Sequence, residues 1–217
     1  IRIFSNPIFI KMVYFVFFIA ILFHIVRINR TIMNYLHKVF NKKTVLITGH
    51  TGFKGSWLST WLHSLGAKVV GLSIDIPSSP SNFTSSKVDK LVEDHRIDVR
   101  DTDAVKNLIL SCQPDFIFHL AAQALVKPSY ESPFDTISIN ALGTASVLDA
   151  LRFVKKQVVA VMITSDKAYD NVEWVWGYKE SDRLGGKDPY SASKGMAELA
   201  IRTYVESFFN SSGSNVR

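Results

Sequence analysis

Residues 44–55 read TVLITGHTGFKG, a short apolar run followed by glycines at positions 49, 52 and 55. The run predicts a buried strand over 44–48. Residues 54–65 follow with apolar side chains at helical spacing, and Gly66 is a good stop signal for a helix. A glycine turn between a buried strand and a helix predicts a dinucleotide-binding turn, because the N–H groups and the dipole at a helix N-terminus bind phosphates.

The glycines are spaced G-x-x-G-x-x-G, whereas the common dinucleotide fingerprint is G-x-G-x-x-G, but the physical roles are the same. Gly49 permits a tight turn, Gly52 lets the backbone approach a pyrophosphate, and Gly55 permits close packing of helix against strand. A merely flexible loop is the alternative interpretation. The predicted cofactor-binding residues of the turn are Gly49, Thr51, Gly52, Phe53 and Gly55.

The cofactor prediction depends on the end of the next strand, residues 68–73. The acidic residue that binds the adenosine ribose is expected there, about 20 residues beyond the glycine turn. Ser73 holds that place, Asp75 comes two residues later, and no Arg or Lys follows closely to bind a 2′-phosphate. The sequence therefore predicts NAD as the cofactor in preference to NADP.

Strand and helix patterns alternate along the rest of the chain. This alternation predicts an α/β fold with a doubly wound parallel sheet of the Rossmann type. Residues 77–86 are rich in Pro and Ser and predict a loop. A further strand begins at 215–217, so we interpret the chain as a truncated domain whose C-terminal substrate-binding part is missing. The further strands are predicted over 95–99, 116–120 and 158–164, and the helices over 102–111, 133–153 and 191–209.

The N-terminal region differs from the rest of the chain, and we predict an extension over 1–32 and the NAD-binding domain over 33–217. Residues 12–26 form a nearly unbroken apolar run with basic residues on both sides. A signal anchor, a signal peptide and translated upstream sequence are three interpretations. We favour the third because Met33 lies shortly before the first strand; contact with a membrane is expected only if residues 1–32 are truly present.

The net charge of +6 comes from the N-terminal region, where residues 1–43 hold seven Lys or Arg and no acid. The remaining residues hold 18 basic and 19 acidic side chains, which gives no reason to expect a nucleic-acid partner. Cys112 is the single cysteine, so no disulfide framework exists and a cytoplasmic location is the simplest expectation.

Two further motifs carry chemistry. Tyr190 and Lys194 form a Y-x-x-x-K pair that falls on one helix face, where the ammonium stabilises a phenolate and makes the tyrosine a usable general base. Ser165, Asp166 and Lys167 follow the predicted fifth strand, at the sheet edge where ligands bind. A chance surface pair and an ordinary polar loop are the respective alternatives.

The other conspicuous side chains receive structural interpretations. Trp57 and Trp61 are predicted to be core residues of the first helix in the domain. His119, inside an apolar strand, is predicted to be a satisfied interior histidine, whereas His50 is predicted to be exposed and able to touch cofactor or substrate. No His, Cys and carboxylate spacing suggests a metal site.

The segments TGHTGFKGSW, HLAAQ, TSDKAYDN, EWVWGYKE and PYSASK, in this order, resemble the CDP-glucose 4,6-dehydratases of the extended short-chain dehydrogenase/reductase superfamily. The resemblance covers residues 40–217. The glycine turn, HLAA and Y-x-x-x-K are shared across the superfamily, whereas the Ser-Asp-Lys run and residues 170–178 are more specific. The extension before Met33 is foreign to the family.

The resemblance implies a redox-neutral dehydration of CDP-glucose to CDP-4-dehydro-6-deoxyglucose, which supplies deoxysugars for surface polysaccharides. Asp98 and Val99 would contact the adenine, and Leu120, Ala121 and Ala122 the central part of NAD. The implied catalytic residues, which act on the sugar and on the nicotinamide ribose, are Ser165, Asp166, Lys167, Tyr190 and Lys194.

Two alternatives of different kinds stay open at this point. One is a dehydratase or epimerase of a dTDP-, GDP- or UDP-sugar, because the base would be recognised by the C-terminal part. The other is a non-catalytic dinucleotide-binding sensor, which would not need the Tyr–Lys pair and the Ser-Asp run. A homo-oligomer is also expected.

Overall fold

The computed structural model describes residues 30–217, and by its contacts the chain divides between Asn41 and Lys42. The described part of the first unit is helix α1, Arg30–Phe40. The apolar run 12–26, with its three interpretations, lies outside the described residues, and the boundary between 32 and 33 stays a prediction. From residue 30 onward, no helix is both long and apolar enough to cross a bilayer.

The unit Lys42–Arg217 is built on a five-stranded sheet, whose strands pair in parallel in the order β3-β2-β1-β4-β5. The chain moves outward from β1 to β3 and then returns to the other side of β1. This order confirms the predicted doubly wound sheet and creates a switch point between β1 and β4, where open α/β sheets bind ligands. The strands are β1 (Thr44–Thr48), β2 (Lys68–Ser73), β3 (Val92–Arg96), β4 (Phe116–His119) and β5 (Val159–Met162).

The helices connect these strands in the expected alternation. The single long helix predicted over 133–153 is α6 (Pro133–Ile137), a π-helical turn at Ser138–Leu142 and α7 (Gly143–Leu151) in succession. The helix predicted over 191–209 is α8 (Pro189–Tyr204) followed by a π-helical turn, Val205–Phe209. The helices of this unit are α2 (Phe53–Ser64), α3 (Asn82–Ser85), α4 (Thr102–Cys112), α5 (Val126–Glu131), α6 (Pro133–Ile137), α7 (Gly143–Leu151) and α8 (Pro189–Tyr204).

The main hydrophobic cluster joins the central strands to helices α4 and α7. Central strands of a parallel sheet are covered on both faces, which is why β1 reads as a continuous apolar run. The packing holds the carboxyl ends of β1 and β4 side by side, with Thr48 opposite His119 in the register. Buried members of the cluster include Leu46, Val70, Leu72, Val105, Ile109, Ile117, Val147 and Leu148.

The prediction that Trp57 and Trp61 are core residues is wrong. Their exposed fractions are 42% and 41%, and α2 instead buries a narrow face that is mostly small side chains. The helix lies so close to the glycine turn that there is room only for small residues between them. The buried residues of α2 are Gly55, Ser56, Ser59 and Leu62.

Two boundaries also differ from the prediction. β3 begins at Val92 and ends at Arg96, three residues earlier than the predicted strand, because it pairs with β2 from Val69↔Val92 onward. As an edge strand with no buried residue, β3 has no apolar run to mark it. The predicted loop 77–86 contains the short helix α3, which is capped by the Ser81 side chain. The strand expected at 215–217 is present as a parallel bridge between Val216 and Val158.

Candidate functional site

The glycine turn between β1 and α2 is packed without spare room. Gly49 has φ +75°, and a Cβ there would lie 2.7 Å from the backbone nitrogen of Ala121. A Cβ on Gly55 would lie 2.1 Å from the Gly49 carbonyl oxygen, so only glycine fits. The N-cap residue Gly52 has no capping side chain, which leaves the first N–H groups of α2 available to an anion. Phe53 opens the helix and is exposed.

The prediction that His50 is exposed is wrong, since the exposed fraction of His50 is 0%. Its Nδ1 lies 3.0 Å from Ser73 Oγ, and its Nε2 lies 3.0 Å from Asp94 Oδ1. Gly71 makes room for the ring, because a Cβ there would lie 2.4 Å from it. Burial lowers the pKa of His50, against the opposing effect of the Asp94 carboxylate. The ring therefore links the glycine turn to strands β2 and β3 instead of facing solvent.

The end of β2, where the adenosine ribose is expected, is organised by the turn itself. Thr51 donates its hydroxyl to the Asp75 carbonyl at 2.6 Å, and its N–H points to Ser73 Oγ at 3.4 Å. Arg96 lies opposite Ser73 in the register of β2 and β3, but its guanidinium donates to the Asp94 carboxylate at 2.7 Å. Arg96, the cation next to the end of β2, is therefore already paired with a carboxylate.

The residues expected near the adenine lie where the chain leaves β3. The Arg100 guanidinium donates to Asp98 at 2.6 Å, and these hydrogen bonds lower the pKa of the Asp98 carboxyl. Val99 is buried, and a Cβ on Gly143 would lie 2.5 Å from its Cγ1. Asp98 is thus at the surface of this corner, whereas the Val99 side chain belongs to the core.

The segment after β4 crosses over the glycine turn. The N–H groups of Leu120 and Ala121 both donate to Thr48 Oγ1 at 3.1 Å, and the Leu120 N–H also donates to the Thr48 carbonyl at 3.0 Å. Leu120, Ala121 and Ala122 are half-buried. The segment is therefore held by its backbone at the switch point between β1 and β4.

Helix α8 carries the Tyr–Lys pair on one element, as the spacing predicts. Its N-cap Asp188 accepts from the Ser191 N–H at 2.9 Å and from the Ser191 hydroxyl at 2.6 Å. Tyr190 is half-buried, whereas Lys194 is 6% exposed. Burial lowers the pKa of the Lys194 ammonium; the Glu198 carboxylate opposes this effect, and Lys54 in the first turn of α2 reinforces it.

The Ser-Asp-Lys run forms a short 3-10 turn, Asp166–Ala168, directly after β5. Ser165 caps this turn by accepting from the Lys167 N–H at 3.2 Å, and its hydroxyl donates to Asp166 Oδ1 at 3.1 Å. Asp166 and Lys167 are exposed. A cavity of about 820 Å³ opens beside Ser165 and Asp166, between β5, α8 and the segment around Arg183.

The structure brings the run and the Tyr–Lys pair together through close backbone packing. A Cβ on Gly195, next to Lys194, would lie 3.4 Å from the Ala168 carbonyl oxygen, so α8 packs directly on the turn. Burial tends to raise the pKa of Asp188, but the hydrogen bonds from Ser191 prevail and lower it, and the Lys167 ammonium acts in the same direction. All five candidate catalytic residues thus occupy the edge formed by β5 and α8.

Asn140 is a site residue that the sequence analysis missed. Its side chain accepts from the Gln123 N–H at 2.8 Å and donates to the Gln123 carbonyl at 3.0 Å and to Ser193 Oγ at 2.8 Å. It thereby ties the segment after β4 to helix α8. The sequence carries one signal, an asparagine in the middle of a predicted long helix. Asparagine is unfavourable at such a position unless its side chain forms hydrogen bonds to other groups.

Comparison with known proteins assigns the family. The sequence profile described as GDP-mannose 4,6 dehydratase matches residues 46–212, which is more than half of the chain. The chain belongs to this family. One relative, the CDP-glucose 4,6-dehydratase of Salmonella typhimurium, is 50% identical over 168 residues, covering 77% of this chain and 47% of the relative. The chain spans about half the length of the curated relatives it matches.

Solved structures agree with the fold. The UDP-glucose 4-epimerase of Thermus thermophilus, in complex with NAD, has a TM-score of 0.66 and 30% identity, over 76% of this chain and 52% of that one. The dTDP-glucose 4,6-dehydratase DesIV of Streptomyces venezuelae, with NAD and TYD bound, has a TM-score of 0.67 at 24% identity, over 76% and 52% of the two chains. The second likeness shows the shared Rossmann-type fold alone.

Proposed function

We propose that the protein is an NAD-dependent nucleotide-sugar 4,6-dehydratase, a hydro-lyase, and that its substrate is CDP-glucose. The observation that carries this proposal is the packing of the Tyr190–Lys194 helix against the Ser165-Asp166-Lys167 turn at the carboxyl edge of the sheet. The 50% identity to a CDP-glucose 4,6-dehydratase supports the choice of substrate.

Two features of the glycine turn support NAD as the cofactor. The N-terminus of α2 lacks a capping side chain, and its N-cap residue Gly52 has no Cβ to cover the first N–H groups of the helix. At the end of β2, the turn engages Ser73 and Asp75 through Thr51, and the nearby Arg96 is paired with Asp94. This corner suits a free ribose better than a 2′-phosphate, whose charge would need a cation of its own.

Tyr190 and Lys194 assist the oxidation at C4 of the sugar. When bound, NAD supplies the oxidising group that takes a hydride from C4 and gives it back at C6. Tyr190 takes the proton of the 4-hydroxyl, and Ser165 donates a hydrogen bond to the 4-oxygen. Lys194, whose ammonium is held at the buried side of α8, binds the nicotinamide ribose and stabilises the Tyr190 phenolate.

Asp166 and Lys167 carry out the elimination of water. The 4-keto group acidifies the proton on C5, which Lys167 removes while Asp166 gives a proton to the leaving 6-hydroxyl. When C6 receives the hydride, Lys167 returns the proton to C5, and Tyr190 releases the 4-hydroxyl proton to solvent, from which Asp166 is protonated again. The sugar loses one water in total, with no net oxidation or reduction. Both side chains lie at the surface of the edge, where a sugar nucleotide can reach them.

The test offers the purified full-length gene product CDP-, dTDP-, GDP- and UDP-glucose in parallel and measures the mass of the sugar nucleotide. Loss of one water from CDP-glucose alone, with NAD unchanged overall, is the expected result. Tyr190→Phe keeps the ring but cannot take the proton, and it should abolish turnover. Dehydration of another sugar nucleotide alone would overturn the substrate, and interconversion without loss of water would favour an epimerase.

The non-catalytic alternative has its own outcome in the same assay. A dinucleotide-binding sensor would bind NAD and turn over none of the four sugar nucleotides. The homo-oligomeric state, the cytoplasmic location and any membrane contact through residues 1–32 stay predictions.

A further inference from the structure

The His119 imidazole lies between two threonine hydroxyls in the interior of the domain. Its Nδ1 is 2.8 Å from Thr48 Oγ1, and its Nε2 is 3.0 Å from Thr144 Oγ1. All three side chains are buried. Thr48 and His119 end β1 and β4, and Thr144 belongs to α7, so the ring sits at the switch point of the sheet.

The proton arrangement on the Thr48 side is determined by its other partners. Thr48 Oγ1 accepts the N–H groups of Leu120 and Ala121, each at 3.1 Å. A hydroxyl oxygen has two acceptor lone pairs and one proton, so both lone pairs are used and the proton remains for the histidine. His119 Nδ1 must therefore be an unprotonated acceptor.

The Thr144 side leads to the same tautomer independently. The Thr144 hydroxyl donates its one proton to the backbone carbonyl of Asn140 at 2.7 Å. Its oxygen can then only accept from His119, so Nε2 must carry a proton. The two threonines, which lie on different elements, thus both require neutral His119 with the proton on Nε2.

The hydrogen bonds continue from Asn140 to the helix that carries the Tyr–Lys pair. The Asn140 side-chain amide donates to Ser193 Oγ at 2.8 Å, and the Ser193 hydroxyl donates to the Tyr190 carbonyl at 2.6 Å. Every bond in the series, from Thr48 to the carbonyl of Tyr190, has one donor and one acceptor. Such a fully satisfied buried network holds its segments in a single arrangement.

We propose that His119, held as the Nε2–H tautomer, is a positioning residue that keeps the Leu120–Ala122 segment in register with the Tyr190 helix. The proposal rests on the proposed function, since it assigns the cofactor to that segment and the general base to Tyr190. The opposite tautomer would place an N–H against the Thr48 hydroxyl, whose own proton would then have no acceptor. It would also leave Nε2 and Thr144 Oγ1 facing each other without a proton between them.

The charge state of the ring agrees with this role. Burial lowers the pKa of His119 to about 3, and the Lys194 ammonium acts in the same direction. The imidazole consequently stays neutral near pH 7. The ring can hold its two hydrogen bonds unchanged through a pH range in which an ordinary histidine would gain a second N–H.

The first experiment measures the tautomer directly, in protein labelled with ¹⁵N in its histidines. Long-range ¹H–¹⁵N correlation spectra should show His119 with a protonated Nε2, an unprotonated Nδ1 and unchanged shifts from pH 5 to pH 8. A proton on Nδ1, or a titration within that range, would overturn the proposal. The measurement needs no sugar nucleotide, so it stands even if the dehydratase proposal fails.

The second experiment compares Thr144→Val with Thr144→Ser in the full-length gene product. Valine keeps the shape but leaves the Nε2 proton unpaired, so kcat should fall about tenfold while the KM for CDP-glucose changes less than about twofold. Serine restores the hydroxyl and should keep kcat within about twofold of the original protein.

A loss of kcat in both variants, or in neither, would overturn the positioning role. If the original protein dehydrates no sugar nucleotide, NAD affinity provides the comparison, and Thr144→Val should weaken it while Thr144→Ser should not. Should Thr144→Val fail to fold, the tautomer measurement and the serine variant still decide the matter.

Discussion

The buried and the exposed parts of the candidate site are built differently. Around the switch point, His50 and His119 are buried, and the glycines leave no space for a Cβ. After β5, the chain turns outward, and the exposed fractions of Val175 and Trp176 reach 91% and 76%. One part is held by backbone packing and buried hydrogen bonds, and the other carries side chains that face solvent.

A substitution in the buried part should therefore reduce stability, and one in the exposed part should reduce catalysis. In a close-packed interior, one added carbon must displace its neighbours, so the fold itself is affected. An exposed side chain makes few contacts, so its removal leaves the free energy of unfolding almost unchanged.

The largest effect is expected from Gly55→Ala in the buried part. The new Cβ would lie 2.1 Å from the Gly49 carbonyl oxygen and 2.7 Å from His50 Cα, and neither backbone atom can move freely. We expect a loss of about 3 kcal/mol or more in the free energy of unfolding, together with loss of NAD binding. Urea denaturation and an NAD titration measure the two effects.

Gly177→Ala is the matched control for this change. A Cβ at position 177 would meet no heavy atom within 4 Å, so the free energy of unfolding should change by less than about 0.5 kcal/mol. Equal losses in the two variants would contradict the contrast between the buried and the exposed part.

The second prediction concerns catalysis without instability, through Asp166→Asn. The amide cannot give a proton to the leaving hydroxyl, so kcat for dehydration should fall about 100-fold or more. The melting temperature should not change, because Asp166 is exposed and its oxygen near Ser165 is retained in asparagine. Asp103→Asn, an exposed carboxylate in the first turn of α4, serves as the control and should keep full activity.

The third prediction concerns pH and the buried His119. Its pKa is 6.5 as an ordinary histidine and about 3 in the folded protein, so below pH 6.5 the unfolded state binds a proton that the folded state refuses. Its contribution to stability is fully present above pH 6.5 and is lost as the pH falls toward 3. Between these pH values, the free energy of unfolding should fall by about 1.4 kcal/mol for each pH unit.

The measurement for this prediction is urea denaturation at a series of pH values from 7 to 4, with His119→Gln as the comparison. Because glutamine does not titrate, the free energy of unfolding of the His119→Gln variant should fall less steeply with decreasing pH, by about 1.4 kcal/mol per pH unit. Parallel slopes in the two proteins would mean that His119 gains its proton in the folded state as readily as in the unfolded one.

The smallest effect is expected from Tyr178→Phe in the exposed part. The Tyr178 hydroxyl accepts from the Val172 N–H at 2.9 Å and donates to Asn171 Oδ1 at 2.9 Å, and both bonds are exposed to solvent. We expect less than about 1 kcal/mol of destabilisation, but faster tryptic cleavage after Lys179. Tyr130→Phe, on α5, is the control, and equal cleavage in both variants would show that the hydroxyl does not hold the segment.

Several parts of the fold could be predicted because they depend on short stretches of chain. The apolar run of β1, the glycine turn after it and the order of strands and helices follow from local periodicity and turn chemistry. The Tyr190–Lys194 pair lies on one helix because its spacing matches one helical turn. The interior position of His119 was also predicted, since it lies within an apolar run.

Other features could not be predicted, and each of them depends on a distant partner. His50 was expected to be exposed, but Asp94, 44 residues away, and Ser73 enclose it. Trp57 and Trp61 have the spacing of a core face, yet the close approach of α2 to the turn buries the small residues instead.

Local sequence patterns specify the strand–turn–helix unit, the alternation of strands and helices and the Tyr–Lys spacing. Which polar side chains form hydrogen bonds across the domain depends on the packing of distant segments. Thr48 and His119 are 71 residues apart, and Asn140 and Ser193 are 53 residues apart. The cause is the distance along the chain over which each effect acts. Backbone dihedral preferences and side-chain periodicity act within a few turns of the chain, whereas burial and hydrogen bonding depend on which segments the packed sheet brings together.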